Sequence, residues 1–483
     1  MAKGKKTTMM NVVAKWLGMA TALTMLAGCE LPGHEVGVDT KRKPPIAKKI
    51  VRFAGEKSKA ISMVYTTRRA LSLTFDGMAD RETMEKLLDK LDAFHIKATF
   101  FLPGMRVAEE PDIAKEIVAR GHEIENNTLN RLDLTKLSYN ELYSEINLGD
   151  QVIKKATGIT PHYVRTKLDS FNDDVRLATA QSGQEAVVSA SLFLHNWQKE
   201  TDLQKSHYVR KYINRGGIIE IDTEENKNLL EDIALLAKAA DDVGYQFVTL
   251  HDLIEKGGER KPLEEIPGYA AAKINPNQSG AQYRLVSSLS TEKKVVALSF
   301  DDWGTDDTVT KILDLLDRYN VKASFFLRAD GVEKNPNLAR AIYEKGHDVG
   351  NHTYSHPVVT TITQAQLQEE IVKAHRIITE AIQHEPTMYF RPPTGVVDDK
   401  TLRTIGATGY HTIANFDVTP SDYVKTQTAD GIVQAVMDQT HSGSVILLHM
   451  LDDIHTIEAL PVIIEKLRSK GYSFVKMTDM FGT

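Results

Sequence analysis

Two adjacent carboxylates, Asp301 and Asp302, close the apolar run Val295–Phe300. Side by side they repel each other unless something positive lies between them, and a divalent metal would serve. Alone, the pair reads first as a loop start or a helix cap near Thr305-Asp306-Asp307. Further on, Asn351-His352-Thr353-Tyr354-Ser355-His356-Pro357 carries two histidines spaced by four. Imidazole is a common ligand for zinc and similar ions. Gly350 and Pro357 argue against a regular helix here, so the segment reads as a shaped loop. Two imidazoles and one carboxylate leave a coordination position open for water, the layout of a catalytic rather than a structural site. Phe390-Arg391-Pro392-Pro393-Thr394-Gly395 places an always-charged guanidinium on a stiff loop. Ser444–Leu448 is an apolar run ending in His449, which reads as a general acid or as a satisfied core histidine.

These residues need elements to hold them. Val295–Phe300, Ala323–Leu327, His347–Gly350, Ser444–Leu448 and Ser473–Val475 read as strands. Asp307–Tyr319, Leu338–Lys345, Leu367–Ile382 and Ile457–Ser469 show helical spacing. Strands alternating with helices predict an α/β fold with a parallel sheet, closed or nearly closed. In such barrels the reactive groups gather at the C-terminal ends of the strands, and the polar residues above do follow strands.

The pattern occurs twice. Ala70–Asp76 pairs with Ala297–Asp301 in kind, Lys97–Leu102 with Lys322–Leu327, Arg120–Ile124 with Lys345–Val349, and Gly244–Val248 with Gly471–Val475. The offset stays at 225 to 227 residues, so two copies of one domain lie in tandem. We place the first over 61–259 and the second over 291–483. A stretch with several Pro and Gly, 260–290, reads as the linker.

The N-terminus differs in character. Lys3, Lys5, Lys6 and Lys15 precede the apolar stretch Trp16–Ala27, which is too short to span a bilayer comfortably. This is the layout of a secretory signal over residues 1–28. Leu26-Ala27-Gly28-Cys29 resembles the lipobox of bacterial lipoproteins, which implies lipidation of Cys29 and anchorage to the outer face of the cell membrane. The plainer alternative is an ordinary signal peptide with a chance cysteine. Cys29 is the only cysteine, so the domains carry no disulfide. Residues 29–60 are polar and basic and read as a tether. The net charge of −6, with both signs interspersed and no basic tract, sets nucleic acid aside as a partner.

Taken together, the second copy resembles the polysaccharide deacetylase, or NodB-homology, family (carbohydrate esterase family 4). Ser299-Phe300-Asp301-Asp302, His352-Thr353-Tyr354-Ser355-His356, Arg391-Pro392-Pro393-Thr394-Gly395 and Leu447-Leu448-His449 match its motifs in order. The loosest motif aligns with Val418–Tyr423, where Tyr423 replaces the usual Trp, and Thr394 stands where an aromatic is frequent. The resemblance implies two tandem distorted (β/α) barrels of about seven strands. It implies that Asp302, His352 and His356 hold a divalent metal, zinc before cobalt or another ion. Asp301 is then the general base toward a water molecule and His449 the acid for the leaving amine. Arg391 and Asp422 orient Asp301 and its neighbours. A backbone N–H near Thr394 stabilises the oxyanion, and Leu447 and Tyr423 line a pocket for the acetyl methyl. The implied substrate is an N-acetylated envelope polysaccharide of the peptidoglycan, chitin-like or poly-N-acetylglucosamine kind. Alternatives are a glycan-binding surface lipoprotein without catalysis, and an amidohydrolase of the same fold acting on a small amide.

The first copy lacks that chemistry. Asp76 keeps the base position, but Gly77, Asn127 and Arg131 stand at the three metal positions and Asp222 stands opposite His449. Arg165 matches Arg391, followed by Thr166-Lys167-Leu168 without the prolines. This copy reads as catalytically inactive.

Overall fold

Each copy puts its longest apolar run at the centre of a sheet. A strand covered by helices on one side and filled by side chains on the other is apolar throughout. All of Ala70–Asp76 (β2) is buried, as is Val295–Asp302 (β11) beyond its first residue. The computed structural model describes residues 50–193 and 200–482. The expected signal, Cys29 and most of the expected tether lie outside the described residues.

The other strands of the first lobe are Lys59–Ile61 (β1), Thr99–Leu102 (β3), Glu123–Asn126 (β4), Tyr163–Val164 (β5), Ala186–Val188 (β6), Leu192–Phe193 (β7), Ile218–Asp222 (β8) and Gln246–Phe247 (β9). Those of the second are Arg284–Val286 (β10), Ser324–Leu327 (β12), Asp348–Asn351 (β13), Tyr389–Phe390 (β14), Thr412–Ala414 (β15), Val445–His449 (β16) and Ser473–Phe474 (β17). The first sheet runs β1-β6-β5-β4-β3-β2-β8-β7 with β9 beside β2. The second runs β10-β15-β14-β13-β12-β11-β16 with β17 beside β11. Strand neighbours are parallel throughout, as in Asp76↔Asp222 and Asp301↔His449. A parallel bridge between Val418 and Ile446 brings the chain after β15 back to β16, which nearly closes the second barrel. The fold is thus two tandem curled parallel sheets ringed by helices.

The helices pack apolar faces outside the sheets. Gln364–Ile382 opens with a capping box between Thr363 and Gln366 and buries Leu367, Ile371, Ile378 and Ile382. Asp306–Arg318 is capped by Thr305 and buries Val309, Ile312, Leu313 and Leu316.

Two expected boundaries shift. The stretch read as a linker, 260–290, contains β10, which pairs with β15. It is tied to helix Gln364–Ile382 along its length: Arg260 to Glu380 at 3.1 Å, the Gly268 carbonyl to His375 at 2.9 Å, and Asn275 to Gln368 at 2.8 Å. Its Pro and Gly residues shape a path over that helix. The expected tether likewise gives up Lys59 and Ala60 to β1, whose partner β6 lies far off in sequence.

Candidate active site

The end of β11 delivers Asp301 and Asp302 to the barrel mouth. Asp302 adopts a left-handed backbone (φ 75°), uncommon for a residue with a Cβ and typical of strained functional positions. The turn lets the second carboxylate enter the site instead of pointing to the opposite face. The chain then passes so close to Met450 that a Cβ at Gly304 would lie 2.0 Å from its carbonyl oxygen, so only glycine fits.

The loop after β13 is framed by its own side chains. Asn351 accepts from the Thr353 N–H (2.9 Å) and donates to the Ile371 carbonyl (2.9 Å). Thr353 accepts from the His356 N–H (3.0 Å), and Glu370 takes the N–H groups of Tyr354 and Ser355 at 2.9 and 2.7 Å. The result presents both imidazoles to Asp302. His356 Nε2 lies 3.4 Å and His352 Nε2 4.0 Å from Asp302 Oδ1. Three ligand atoms, one each from Asp302, His352 and His356, lie within 4.8 Å of one another. Two imidazole nitrogens and a carboxylate oxygen gathered this closely are a donor set that fits one divalent ion.

The tautomer suits that role. His352 Nδ1 lies 2.8 Å from the Arg391 carbonyl, an acceptor, so Nδ1 carries the proton and Nε2 keeps its lone pair. Burial pushes the imidazole pKa down to about 3, with Asp302 opposing, so the ring is neutral, as a ligand must be.

Arg391 is fully buried. It donates to both oxygens of Asp301 at 2.9 and 3.0 Å and lies 4.3 Å over the Phe326 ring. Burial raises the Asp301 pKa against the pull of Arg391. Such a carboxylate is held in place yet remains a competent proton acceptor.

Of Asp301 and its neighbours, Asp422 contacts His449, the residue in register with Asp301. It holds His449: Oδ1 lies 2.7 Å from Nδ1, and Oδ2 accepts from the His449 N–H (2.7 Å) and from Thr456 Oγ1 (2.6 Å). The loop after β15 closes on the end of β16, not of β11. Burial pulls the His449 pKa down, but the hydrogen bond and charge of Asp422 outweigh it and the net shift is upward. A raised imidazole pKa contributes stability that is complete below the ordinary value of 6.5 and is lost as pH rises through the folded value. Asp422→Asn removes the largest raising causes and leaves burial opposed only by the charges of Asp301 and Asp302. The high-pH limb of kcat should then move to lower pH, measured as a kcat–pH profile; an unmoved limb would assign the acid to another group.

Tyr423 is half-exposed, its ring edge-on to His449 at 5.2 Å. Leu447 is buried two residues before His449 and so shares its face of the sheet. Thr394 is exposed with φ 64° on the loop after Arg391. All these expected residues lie on loops or strand ends at one barrel mouth. Sequence reading missed Asp452, which accepts from Thr305 Oγ1 (2.7 Å) and Thr308 Oγ1 (2.6 Å) and ties the loop after His449 to the first turn of Asp306–Arg318. A lone aspartate in a loop gives no signal of such a contact.

A polysaccharide deacetylase family model matches residues 64–187 and 288–413, half of the chain and both lobes. The chain belongs to the polysaccharide deacetylase family. A peptidoglycan-N-acetylglucosamine deacetylase of Bacillus cereus is 35% identical over 205 residues, 42% of this chain and 74% of that protein. One of Listeria monocytogenes is 24% identical over 394 residues, 79% of this chain and 81% of that protein. A peptidoglycan-N-acetylmuramic acid deacetylase of Bacillus subtilis is 30% identical over 194 residues, 40% of this chain and 73% of that protein. This chain is accordingly a polysaccharide N-deacetylase.

The first lobe of the deacetylase keeps the frame of the site without its ligands. Asn126 accepts from the Thr128 N–H (2.7 Å) and Thr128 from the Arg131 N–H (3.0 Å), repeating the loop of the second lobe. Arg165 holds Asp76 at 2.9 Å and lies 4.2 Å over Phe101. Asn127 donates to the Arg165 carbonyl (3.0 Å), as His352 does to that of Arg391. But the Arg131 guanidinium fills the centre, 2.6 Å from Asp222, 3.5 Å from Glu224 and 3.9 Å from Asp76.

Proposed function

We propose that the second lobe hydrolyses N-acetyl groups on an envelope polymer of the N-acetylglucosamine type, peptidoglycan first, with a divalent ion held by Asp302, His352 and His356. The reading rests on one observation: the three-ligand cluster shares a barrel mouth with an Arg-held carboxylate and an Asp-held histidine. Two imidazoles and a carboxylate suit zinc and leave room for water and substrate. When bound, the ion supplies Lewis acidity toward water and the acetyl carbonyl. Asp301 takes the proton from the attacking water. His449 donates a proton to the leaving nitrogen, because an amide anion cannot depart unprotonated. Arg391 fixes Asp301 and Asp422 fixes His449. Leu447 and Tyr423 bound the acetyl methyl, and a backbone N–H at the Thr394 loop faces the developing oxyanion. The first lobe takes no part in hydrolysis. Residues 1–28 direct export, and lipidated Cys29 anchors the protein to the outer face of the membrane.

The test is acetate release from peptidoglycan, chitin oligomers and poly-N-acetylglucosamine, run on membrane and soluble fractions. Activity should be highest on peptidoglycan, vanish with a chelator and with His356→Ala, and leave the membrane fraction in Cys29→Ser. Full turnover by metal-free protein would end this reading.

A further inference from the structure

The two lobes meet across a buried polar contact that lies behind the metal loops. Asp306, the first residue of its helix, is 1% exposed. Its Oδ1 pairs with the Arg215 guanidinium of the first lobe and accepts from Tyr245 Oη (2.5 Å) of the same lobe. Within the second lobe Thr310 Oγ1 reaches Oδ1 at 2.9 Å and Asn335 Nδ2 reaches Oδ2 at 3.0 Å. Arg215 is itself 1% exposed and also donates to Thr310 Oγ1 (3.0 Å) and to the Thr67 carbonyl (3.2 Å).

Three loops of the site, those after β11, β13 and β16, lead back to this point. Asp306 follows Asp302 by four residues, and Trp303 between them packs directly on Gly331, where a Cβ would lie 2.2 Å from its ring. Helix Ala329–Lys334, which contains Gly331 and ends at Asn335, donates its Ala329 and Asp330 N–H groups to the carbonyls of Thr353 and Tyr354, both at 3.0 Å. Those residues lie between His352 and His356. Thr305 and Thr308, on either side of Asp306, hold Asp452 of the loop after His449.

We infer that Arg215 is a positioning residue. Through Asp306 it sets the first turn of Asp306–Arg318 and with it the Asp302 and His352–His356 loops, so the metal site of the second lobe depends on the first. Groups hydrogen-bonded to a ligand from behind alter metal affinity by about 10–100-fold when removed, which bounds from above the effect of Arg215, acting through Asp306. The strained backbone of Asp302 makes that site sensitive to a loosened support. This assigns the degenerate lobe a task in catalysis that needs no chemistry of its own. The inference rests on the metal-site reading above.

The test uses the full chain. Arg215→Ala is expected to weaken zinc binding by up to about 10-fold, the lower end for groups bonded directly to a ligand, in competition with a chromophoric chelator. At saturating zinc kcat should fall while KM holds. Arg215→Lys keeps a charge opposite Asp306 and should recover part of both. Tyr245→Phe removes a single donor and should show the same effect in smaller measure, even where Arg215→Ala does not fold. Ile117→Ala, in the first lobe's core away from the contact, should lower the melting temperature and leave zinc affinity unchanged. With Trp16 and Trp197 replaced by Phe, acrylamide quenching of Trp303 in metal-free protein should rise in the Arg215 and Tyr245 variants. Zinc affinity unchanged in folded Arg215→Ala, or lost equally in Ile117→Ala, would overturn the inference. His356→Ala runs alongside: if it keeps its zinc the metal-site reading has failed, and Trp303 quenching alone then judges the clamp.

Discussion

Asp301→Asn is expected to lower kcat by about 10²–10⁴-fold, the usual yield of a positioned general base, while metal content stays that of the parent. Asn is nearly isosteric, so the Asp302, His352 and His356 triangle keeps its support. What is lost is the carboxylate whose two oxygens both accept from Arg391 Nη1, and with it the proton acceptor. There is a second, structural consequence. Arg391 is fully buried, and its guanidinium has no other carboxylate within ion-pair distance among the described residues. Removing one partner of a buried pair costs about 3–5 kcal/mol, because the other charge stays uncompensated. The variant should therefore melt earlier, and its kinetics must be measured well below its transition. Zinc content by mass spectrometry and acetate release on the same sample separate the two effects. Undiminished kcat with zinc bound would remove Asp301 from the mechanism. Loss of zinc together with activity would make it a ligand instead.

The fold was legible where one strand or helix carries its own pattern. β11, the helices Asp306–Arg318 and Gln364–Ile382, and β16 all lie within a residue or a few of their expected limits. β14 and β15 are two and three residues long, too short for any periodicity, and exist because their neighbours pair with them. β10 was hidden in a Pro- and Gly-rich stretch for the same reason. At the site, Asp302, His352 and His356 stood out because their motifs follow one another in the family's order, since any one of them alone suits a cap or a surface loop; the structure brings the three together. The partner of Asp422 could not be read, since nothing in the chain says which of two strand ends a loop residue will reach. The contact between Arg215 and Asp306 was wholly invisible. The residues are 91 apart in sequence, and Asp306 alone looked like part of a helix cap.

Acetate release should disappear altogether when His352 and His356 are both replaced by Ala, with no residue of activity from the first lobe. The geometry of that lobe gives the reason. Gly77 has φ 79°, matching Asp302 in backbone but offering no ligand, and a Cβ there would already lie 3.0 Å from Arg131 Nη1 and 3.1 Å from Glu224. Asn127 spends its amide on the Arg165 carbonyl and on Asp76. Asp222, at the position of His449 in the second lobe, is engaged by Arg131 and by the N–H groups of Glu224 and Glu225 at 2.8 and 2.6 Å. Arg131 thus stands as a fixed cation among three carboxylates, where the second lobe would place its metal. Arg131→Ala should leave those carboxylates facing one another and destabilise the first lobe by about 3–5 kcal/mol, as for other broken buried pairs. The cost should fall at the low end, because Glu224 is 38% exposed and Asp222 keeps its two backbone hydrogen bonds. In calorimetry the loss appears as an earlier transition, and added zinc should not restore it, since no histidine is present at positions 127 and 131. Zinc rescue of Arg131→Ala, or acetate released by the double histidine variant, would mean that the first lobe is a second active site.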